Sequence, residues 1–412
     1  MDEVEIMKVA VLGLGFVGLV TSAVLANENN NVIGVDIDKE KIDTLQRGDS
    51  YIYEPGLKEL LNQNKDKLSF STMYSSIKNP DFVFICVPTP NIKGEINLSY
   101  VDSAVKELQA IGIKENIVIK STVVPGTARK LSQKYNVKIL SNPEFLREGN
   151  AIYDTTHPDR IVIGGDTKQA ENLSILWGFT KAQVIKTTNE NAELIKYASN
   201  SFLATKISFI NEIANLCETI PGCDVNIVAH GMGLDHRIGK EFLRAGIGFG
   251  GSCFPKDTKA IESFAKMHNV TLGIVKSAIK VNDERAEKAV SFVEKWVGKL
   301  DGRVIAVFGI TFKENTNDLR ESKALEVVNL LVKRGAKIRV YDPVIKSYEG
   351  LNLCESPEEC AENADAIIIA SEWDMFRDMD LYDKGALVID LKRIVDLEKH
   401  PKVKAIGVGY ES

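Results

Sequence analysis

The 412-residue chain is predicted to be an α/β protein, with two Rossmann-like, doubly wound parallel-sheet domains joined by a central helical segment. Three observations carry that prediction. From Lys8 onward, short apolar runs alternate with helix-compatible stretches and glycine turns. From Asn189, apolar residues recur at spacings of three and four with no proline before Pro221, which describes a long connecting helix. From Asp301 the opening pattern starts again. The expected parts are a nucleotide-binding domain over residues 1–188, a helical segment over 189–300, and a second nucleotide-type domain over 301–412.

The first element, "KVAVLGLGFVGLVTSAVLANENNNVIGVDID", reads strand, glycine turn, helix, strand. Gly13, Gly15 and Gly18 form a GxGxxG directly after the apolar run Val9–Leu12. In this arrangement the first glycine permits a tight turn and the second lets backbone approach a pyrophosphate. The third allows close helix packing, and the helix N-terminus faces the phosphates. Asp36 closes the second strand 18 residues beyond Gly18. A carboxylate there accepts hydrogen bonds from an adenosine ribose and repels a 2′-phosphate, so NAD is expected rather than NADP.

The runs "DFVFICVPTP" and "NIVIKSTVVPGT" follow as further strands. Pro88, Thr89, Ser121 and Thr122 fall at their carboxyl ends, where ligands of such sheets bind. In the C-terminal part "RVIAVFGITF" repeats the first strand, "GAKIRVYDP" the second, "DAIIIAS" the third and "ALVIDLK" the fourth. Its first turn keeps only Gly309, so a different phosphate-bearing ligand is expected there instead of a second dinucleotide.

Composition sets outer limits. Apolar residues make up 44% and charged residues 26%, ordinary values for a globular protein, and the formal charge is −6 with no basic run. That argues against a nucleic-acid-coating protein. The uncharged stretch Val9–Asn27 imitates a signal peptide, but acidic residues precede it and three glycines interrupt it, so neither export nor a membrane span is expected. Six cysteines, none in a CxxC pair, match no common zinc pattern; no metal and a reducing cytoplasm are expected.

One loop asks for chemistry. In "GFGGSCFPKD", residues 248–257, Cys253 follows three glycines and precedes Pro-Lys-Asp. A cysteine in such a loop with a lysine nearby is a candidate for a reactive sulfur, against the commoner fate of core packing. An NAD enzyme needs a thiol when oxidation continues from aldehyde to acid: sulfur adds to the aldehyde, a second hydride leaves, and water hydrolyses the thioester.

The segments "GLGFVG", "CVPTP", "STVVPGT", "NPEFLREG", "LIKYASN", "GFGGSCFPKD" and "FKENTNDLRES" occur in an order that resembles the UDP-glucose 6-dehydrogenases, within the wider UDP-glucose/GDP-mannose dehydrogenase family. The resemblance runs from about Lys8 to near the C-terminus. It implies oxidation of the C6 alcohol of a nucleotide sugar to a carboxylate, with two NAD+ and one water consumed.

The resemblance makes Cys253 the catalytic thiol, with Asp257 as its partner carboxylate. It gives Glu144 an acid–base part in thioester hydrolysis and puts Glu148 between substrate and NAD. From the residues alone, Asn142 reads as an N-cap and Pro143 as the first helical residue, so Glu144 and Glu148 are expected one turn apart at a helix N-terminus. Lys196 and Asn200, four apart on the long helix, resemble the oxyanion-stabilising pair; the plain alternative for Lys196 is an ion pair with Glu193. Thr122 resembles the residue that holds the hydrolytic water. The first deprotonation of the alcohol falls to Lys196 or to a water on Asp257.

NAD contacts are implied for Gly13, Gly15, Phe16, Val17, Gly18, Asp36, Lys41, Pro88, Thr89, Ser121, Thr122, Glu148 and Arg320. Nucleotide-sugar contacts are implied for Glu144, Phe145, Leu146, Glu148, Lys196, Asn200, Arg244, Gly248, Phe249, Gly250, Phe312 and Lys313. Arg237 resembles an arginine that reaches a neighbouring subunit's site, so a homodimer or a dimer-based oligomer is expected. The family's C-terminal Asp-Gly-Arg stands here as Asp390-Leu391-Lys392, followed by Arg393, and either cation is a candidate sugar contact. UDP-glucose is the expected substrate, because acetamido-sugar relatives show His-Cys-Ile-Pro-Val-Asp where this chain has Ser-Cys-Phe-Pro-Lys-Asp. An N-acetylhexosamine or mannose nucleotide is the alternative within the class; a non-catalytic sensor of NAD or nucleotide sugar is the alternative outside it.

Overall fold

A computed structural model describes residues 6–92 and 94–411. The chain forms two compact units that divide between Ser199 and Asn200. In the first, eight strands form one sheet: β1 (Lys8–Leu12), β2 (Asn31–Val35), β3 (Leu68–Ser71), β4 (Phe82–Ile85), β5 (Ile117–Ile119), β6 (Ile139–Ser141), β7 (Arg160–Gly164) and β8 (Gln183–Thr187). Their order across the sheet is β3-β2-β1-β4-β5-β6-β7-β8. Strand β1 is buried from Val9 onward because helices cover both faces, which is why the run is continuously apolar and does not alternate.

The register pairs Leu12 with both Val35 and Ile85, so β1, β2 and β4 end level. The turns that follow them, at Gly13, Asp36 and Cys86, therefore share one edge of the sheet. The helix Phe16–Asn27 is buried at every position from Gly18 to Ala26. The uncharged stretch that imitates a signal peptide is thus a core strand and an all-round buried helix.

The sheet is parallel except at one pair: β7 runs antiparallel to β6, meeting it at Ser141 and Gly164. An antiparallel neighbour needs no crossover. The chain instead turns back at the end of β6, and residues 142–150 form an irregular segment at that edge. The helix expected to begin at Pro143 is absent, so Glu144 and Glu148 are not one helical turn apart. The Asn142 side chain donates to the Val162 carbonyl at 2.9 Å instead of capping, and the Glu144 carboxylate accepts the Leu146 N–H at 2.9 Å. The helix begins only at Ala151, where the buried Glu54 carboxylate accepts the N–H groups of Gly149 and Ala151 at 2.6 and 2.7 Å.

The long helix Asn189–Cys217 has 29 residues and carries Lys196 in the first unit and Asn200 in the second. The second unit holds a six-stranded sheet of β9 (Val304–Phe308), β10 (Lys337–Tyr341), β11 (Asn352–Leu353), β12 (Ala366–Ile369), β13 (Leu387–Asp390) and β14 (Lys404–Ala405). Its order is β11-β10-β9-β12-β13-β14 and every pair is parallel. This repeats the plan of the first unit's opening six strands, as the sequence echo predicts. The helix Gly273–Val297 packs Ala286, Ala289, Val290 and Val293 into that sheet's core with Ile305 and Val307. Among the described residues, no helix is long and apolar enough to cross a membrane.

Candidate active site

The first unit holds two groups of site residues. At the GxGxxG turn, each glycine answers a separate demand. Gly13 has φ +83°, and a Cβ on it would press within 2.9 Å of Cys86 and Val87 backbone. A Cβ on Gly18 would collide with the Gly13 carbonyl, so the helix can approach the turn only without one. A Cβ on Gly15 would meet nothing within 4 Å. Gly15 is the N-cap of the helix Phe16–Asn27 and no side chain caps it there. Open space in front of uncapped helix N–H groups suits a phosphate.

Asp36, at the end of β2, accepts the Leu14 N–H at 2.7 Å and the Asp38 N–H at 3.0 Å, with the Lys41 ammonium 3.7 Å away. A carboxylate offers about four acceptor sites, so two backbone bonds leave capacity for ribose hydroxyls. The Tyr51 hydroxyl donates to the Leu14 carbonyl beside it. Ser121 anchors its loop by donating to the Val87 carbonyl at 2.7 Å, and Thr122 next to it is half-buried. Pro88 is exposed and Thr89 buried at the end of β4.

The second group is a buried ion pair: Lys196 Nζ lies 2.8 Å from Glu144 Oε1, with side-chain exposures of 4% and 8%. This decides between the two expectations for Lys196, because Glu193 is engaged elsewhere. The Glu193 carboxylate accepts the Gly126 N–H at 2.6 Å, the Ala128 N–H at 2.9 Å and the Ser141 hydroxyl at 3.1 Å. Phe145 lies under two cations, Lys196 at 5.4 Å and Arg160 at 3.9 Å from the ring centre. Leu146 and Glu148 are half-buried.

Lys120 was not legible as a site residue. It is buried, 3.4 Å from Asn142 Oδ1 and 4.8 Å from the Trp177 ring, and burial lowers its pKa. A lysine closing the apolar run "NIVIK" was the signal available.

In the second unit, Cys253 is the N-cap of the helix Phe254–Met267, with Pro255 in the first turn. The positive end of a helix favours negative charge developing on that sulfur. Ser252 Oγ lies 3.6 Å from the sulfur. Asp257, 1% exposed, sits one turn on and its N–H donates to the Cys253 carbonyl at 2.8 Å. Its carboxylate accepts Asn200 Nδ2 at 2.7 Å and Lys256 Nζ at 2.6 Å. Carboxylate and amide are thus hydrogen-bonded to each other, and the backbone bond ties them to the turn that carries the thiol.

The preceding glycine loop is clamped. Asn282 accepts the Phe249 N–H at 2.7 Å and donates to the Phe249 carbonyl at 3.0 Å, as a neighbouring strand would. Asn211 accepts the Gly246 N–H, and buried Arg285, its pKa lowered to about 10 by burial, donates to the Gly246 carbonyl at 2.9 Å. A Cβ on Gly250 would strike the Glu321 carbonyl, and one on Gly251 the Phe312 ring. None of Asn211, Asn282 and Arg285 was expected, since polar residues on helices ordinarily read as solvated.

The remaining cations are dispersed. Arg237 and Arg320 are exposed and each forks onto the aspartate two residues earlier, Asp235 and Asp318. Arg244 is exposed, and Lys313 is half-buried with its ammonium 5.8 Å from the Phe312 ring centre. Arg393 is committed to Asp224 through two contacts at 2.6 and 2.8 Å, while Lys392 pairs with Glu372 at 2.5 Å. Asp342 stands at the end of β10 as Asp36 does at β2, but it is 1% exposed and accepts the N–H groups of Ile310, Thr311, Val344 and Ile345. It has no capacity left for a ribose.

Three family models cover the chain in sequence: the UDP-glucose/GDP-mannose dehydrogenase family NAD binding domain over residues 7–177, central domain over 190–284 and UDP binding domain over 306–397. The chain belongs to the UDP-glucose/GDP-mannose dehydrogenase family. It is 42% identical over 387 residues to the UDP-glucose 6-dehydrogenase YwqF of Bacillus subtilis, covering 89% of this chain and 88% of that one. The UDP-glucose 6-dehydrogenase of Rhizobium meliloti is 41% identical, covering 94% and 95%. Among solved structures, a UDP-glucose dehydrogenase from the archaeon Pyrobaculum islandicum superposes with a TM-score of 0.92 at 36% identity, over 100% of this chain and 99% of that one. A UDP-D-ManNAc dehydrogenase from Pyrococcus horikoshii superposes with a TM-score of 0.87 at 27% identity, covering 97% and 99%. The open Gly15 turn lies within the NAD binding match and the crowded, ribose-excluding Asp342 turn within the UDP binding match, in keeping with one dinucleotide site per chain.

Proposed function

We propose that this family member is an NAD-dependent UDP-glucose 6-dehydrogenase that oxidises UDP-glucose to UDP-glucuronate. The observation that carries the reading is the helix-capping Cys253 joined through its own first turn to Asp257 and Asn200. Relatives that carry this activity in their names, at 41–42% identity over about nine-tenths of the chain, support the choice of sugar.

Gly13, Gly15, Phe16, Val17, Gly18, Asp36, Lys41, Pro88, Thr89, Ser121, Thr122, Glu148 and Arg320 would hold NAD+, which would supply the hydride acceptor for both oxidations at C6, while the alcohol proton goes to Lys196 or to a water on Asp257. Cys253 adds to the aldehyde carbon to give a thiohemiacetal, whose oxidation leaves a thioester. Water held by Thr122 attacks the thioester, Glu144 takes its proton, and the carboxylate departs as the thiol is restored. Lys196 and Asn200 stabilise the oxyanions. Each sugar consumes two NAD+ and one water. Phe145, Leu146, Arg244, the Gly248–Gly250 loop, Phe312 and Lys313 hold the nucleotide sugar. Lys392 and Arg393 both remain candidates for the C-terminal sugar contact, since each already holds a carboxylate, Glu372 and Asp224.

The same reading divides the chain by task into residues 1–188, 189–300 and 301–412, places it in the cytoplasm, and pairs it with a second copy to which Arg237 reaches. Phe202, Phe209 and Leu216 support the pairing: they stand seven residues apart on the long helix and are 66%, 44% and 56% exposed. The test is the NADH formed per limiting UDP-glucose. Two is expected; one would end the reaction at the aldehyde and leave Cys253 without a role, and none, with turnover of an acetamido-sugar nucleotide, would change the substrate.

A further inference from the structure

We infer that Glu193 is a positioning residue for the hydrolytic half of the reaction, an inference that rests on the proposed roles of Thr122, Glu144 and Lys196. Its carboxylate is 3% exposed and binds three groups from two distant segments. The Gly126 and Ala128 N–H groups open the helix Thr127–Tyr135, whose own N-cap, Gly126, offers no side chain. Glu193 supplies that cap from 65 residues away in sequence.

The consequence is geometric. The segment 121–126 is fixed at one end by the Ser121 hydroxyl on the Val87 carbonyl and at the other by Glu193 on Gly126, with Thr122 between the two anchors. Ser141, the third ligand, stands three residues before Glu144, and Glu193 itself stands one helical turn before Lys196. One carboxylate therefore ties together the three segments that carry Thr122, Glu144 and Lys196. Two charge-assisted bonds at 2.6 and 2.9 Å are strong, and losing one leaves a buried N–H unsatisfied.

The charges around Glu193 belong to other pairs. Glu190, one turn earlier on the helix, binds Arg129 at 2.9 Å, and Lys196 binds Glu144. Burial raises the Glu193 pKa to about 7, outweighing its three hydrogen bonds. The carboxylate protonates as pH falls through that value and then accepts less well.

Two measurements test the assignment. Hydrogen exchange on the ligand-free protein reads the anchor directly: Glu193→Gln should speed exchange of the Gly126 and Ala128 amides about tenfold relative to core strand amides. In the wild type, protection at the same amides, corrected for intrinsic rates, should fall below about pH 7, which needs no variant. In turnover, Glu193→Gln should give a burst of about two NADH per site and then a slowed steady state, with KM for UDP-glucose falling in step with kcat so that kcat/KM stays within about twofold of wild type. Unchanged exchange in both arms, or an unchanged kcat with altered exchange, overturns the positioning role. Failure of the proposed substrate removes the turnover signal alone and leaves the exchange result to stand.

Discussion

Removing Lys196 alone should destabilise the first unit more than removing Lys196 and Glu144 together. The two atoms stand 2.8 Å apart with side-chain exposures of 4% and 8%, so water screens neither charge. Lys196→Met leaves the Glu144 carboxylate buried opposite a thioether, a change that costs about 3–5 kcal/mol. Adding Glu144→Leu removes the orphaned charge but also the acceptor of the Leu146 N–H, a loss of about 1 kcal/mol. The double variant should therefore recover about 2–4 kcal/mol relative to Lys196→Met. Urea unfolding followed by Trp177 reads this, in a background where Trp296 and Trp373 are phenylalanine so that the signal comes from the first unit. Effects that add within about 0.5 kcal/mol would refute the reasoning, because independent sites behave that way.

Three further outcomes follow from the same geometry. Cys253→Ala should abolish uronate formation while leaving NAD binding, read by quenching of protein fluorescence, within about threefold of wild type. Gly15→Ala should keep a folded first unit but weaken NAD binding, since its Cβ meets only open space, whereas Gly18→Ala should fail to fold that unit because its Cβ strikes the Gly13 carbonyl. Melting and NAD titration of the two variants, compared, separate the roles. At pH 8 a thiol reagent should leave Cys86 and Cys217 untouched in the folded chain. Burial pushes both to about 12 and holds the thiolate near one part in ten thousand, so mass mapping that finds either modified without unfolding would count against the core placement.

The sheet turns were legible because each residue there faces a local demand. Gly13, Gly15 and Gly18 are set by the geometry of one strand–helix turn, and Asp36 by its place at the end of the next strand. The segment Asn142–Glu148 was misread for the complementary reason. Asn142, Pro143 and Glu144 form a sound helix start locally, but the Asn142 amide is taken by Val162 across the sheet and Glu144 by Lys196 from the long helix. Long-range hydrogen bonds outbid a local propensity worth only about 1 kcal/mol.

By itself the sequence determined the two sheets, parallel but for the one pair at β6 and β7, the long helix that follows the first in the chain, the single dinucleotide turn and the candidacy of Cys253, since period, glycine spacing and motif order are properties of neighbours along the chain. Only the tertiary structure decided that Lys196 belongs to Glu144 and not Glu193, that Arg393 is committed to Asp224 while Lys392 pairs with Glu372, and that Asp342 is full. Each is a choice among buried partners for a charged or polar group. Burial makes that choice costly to get wrong, and the choice depends on which segments the fold brings within 3 Å.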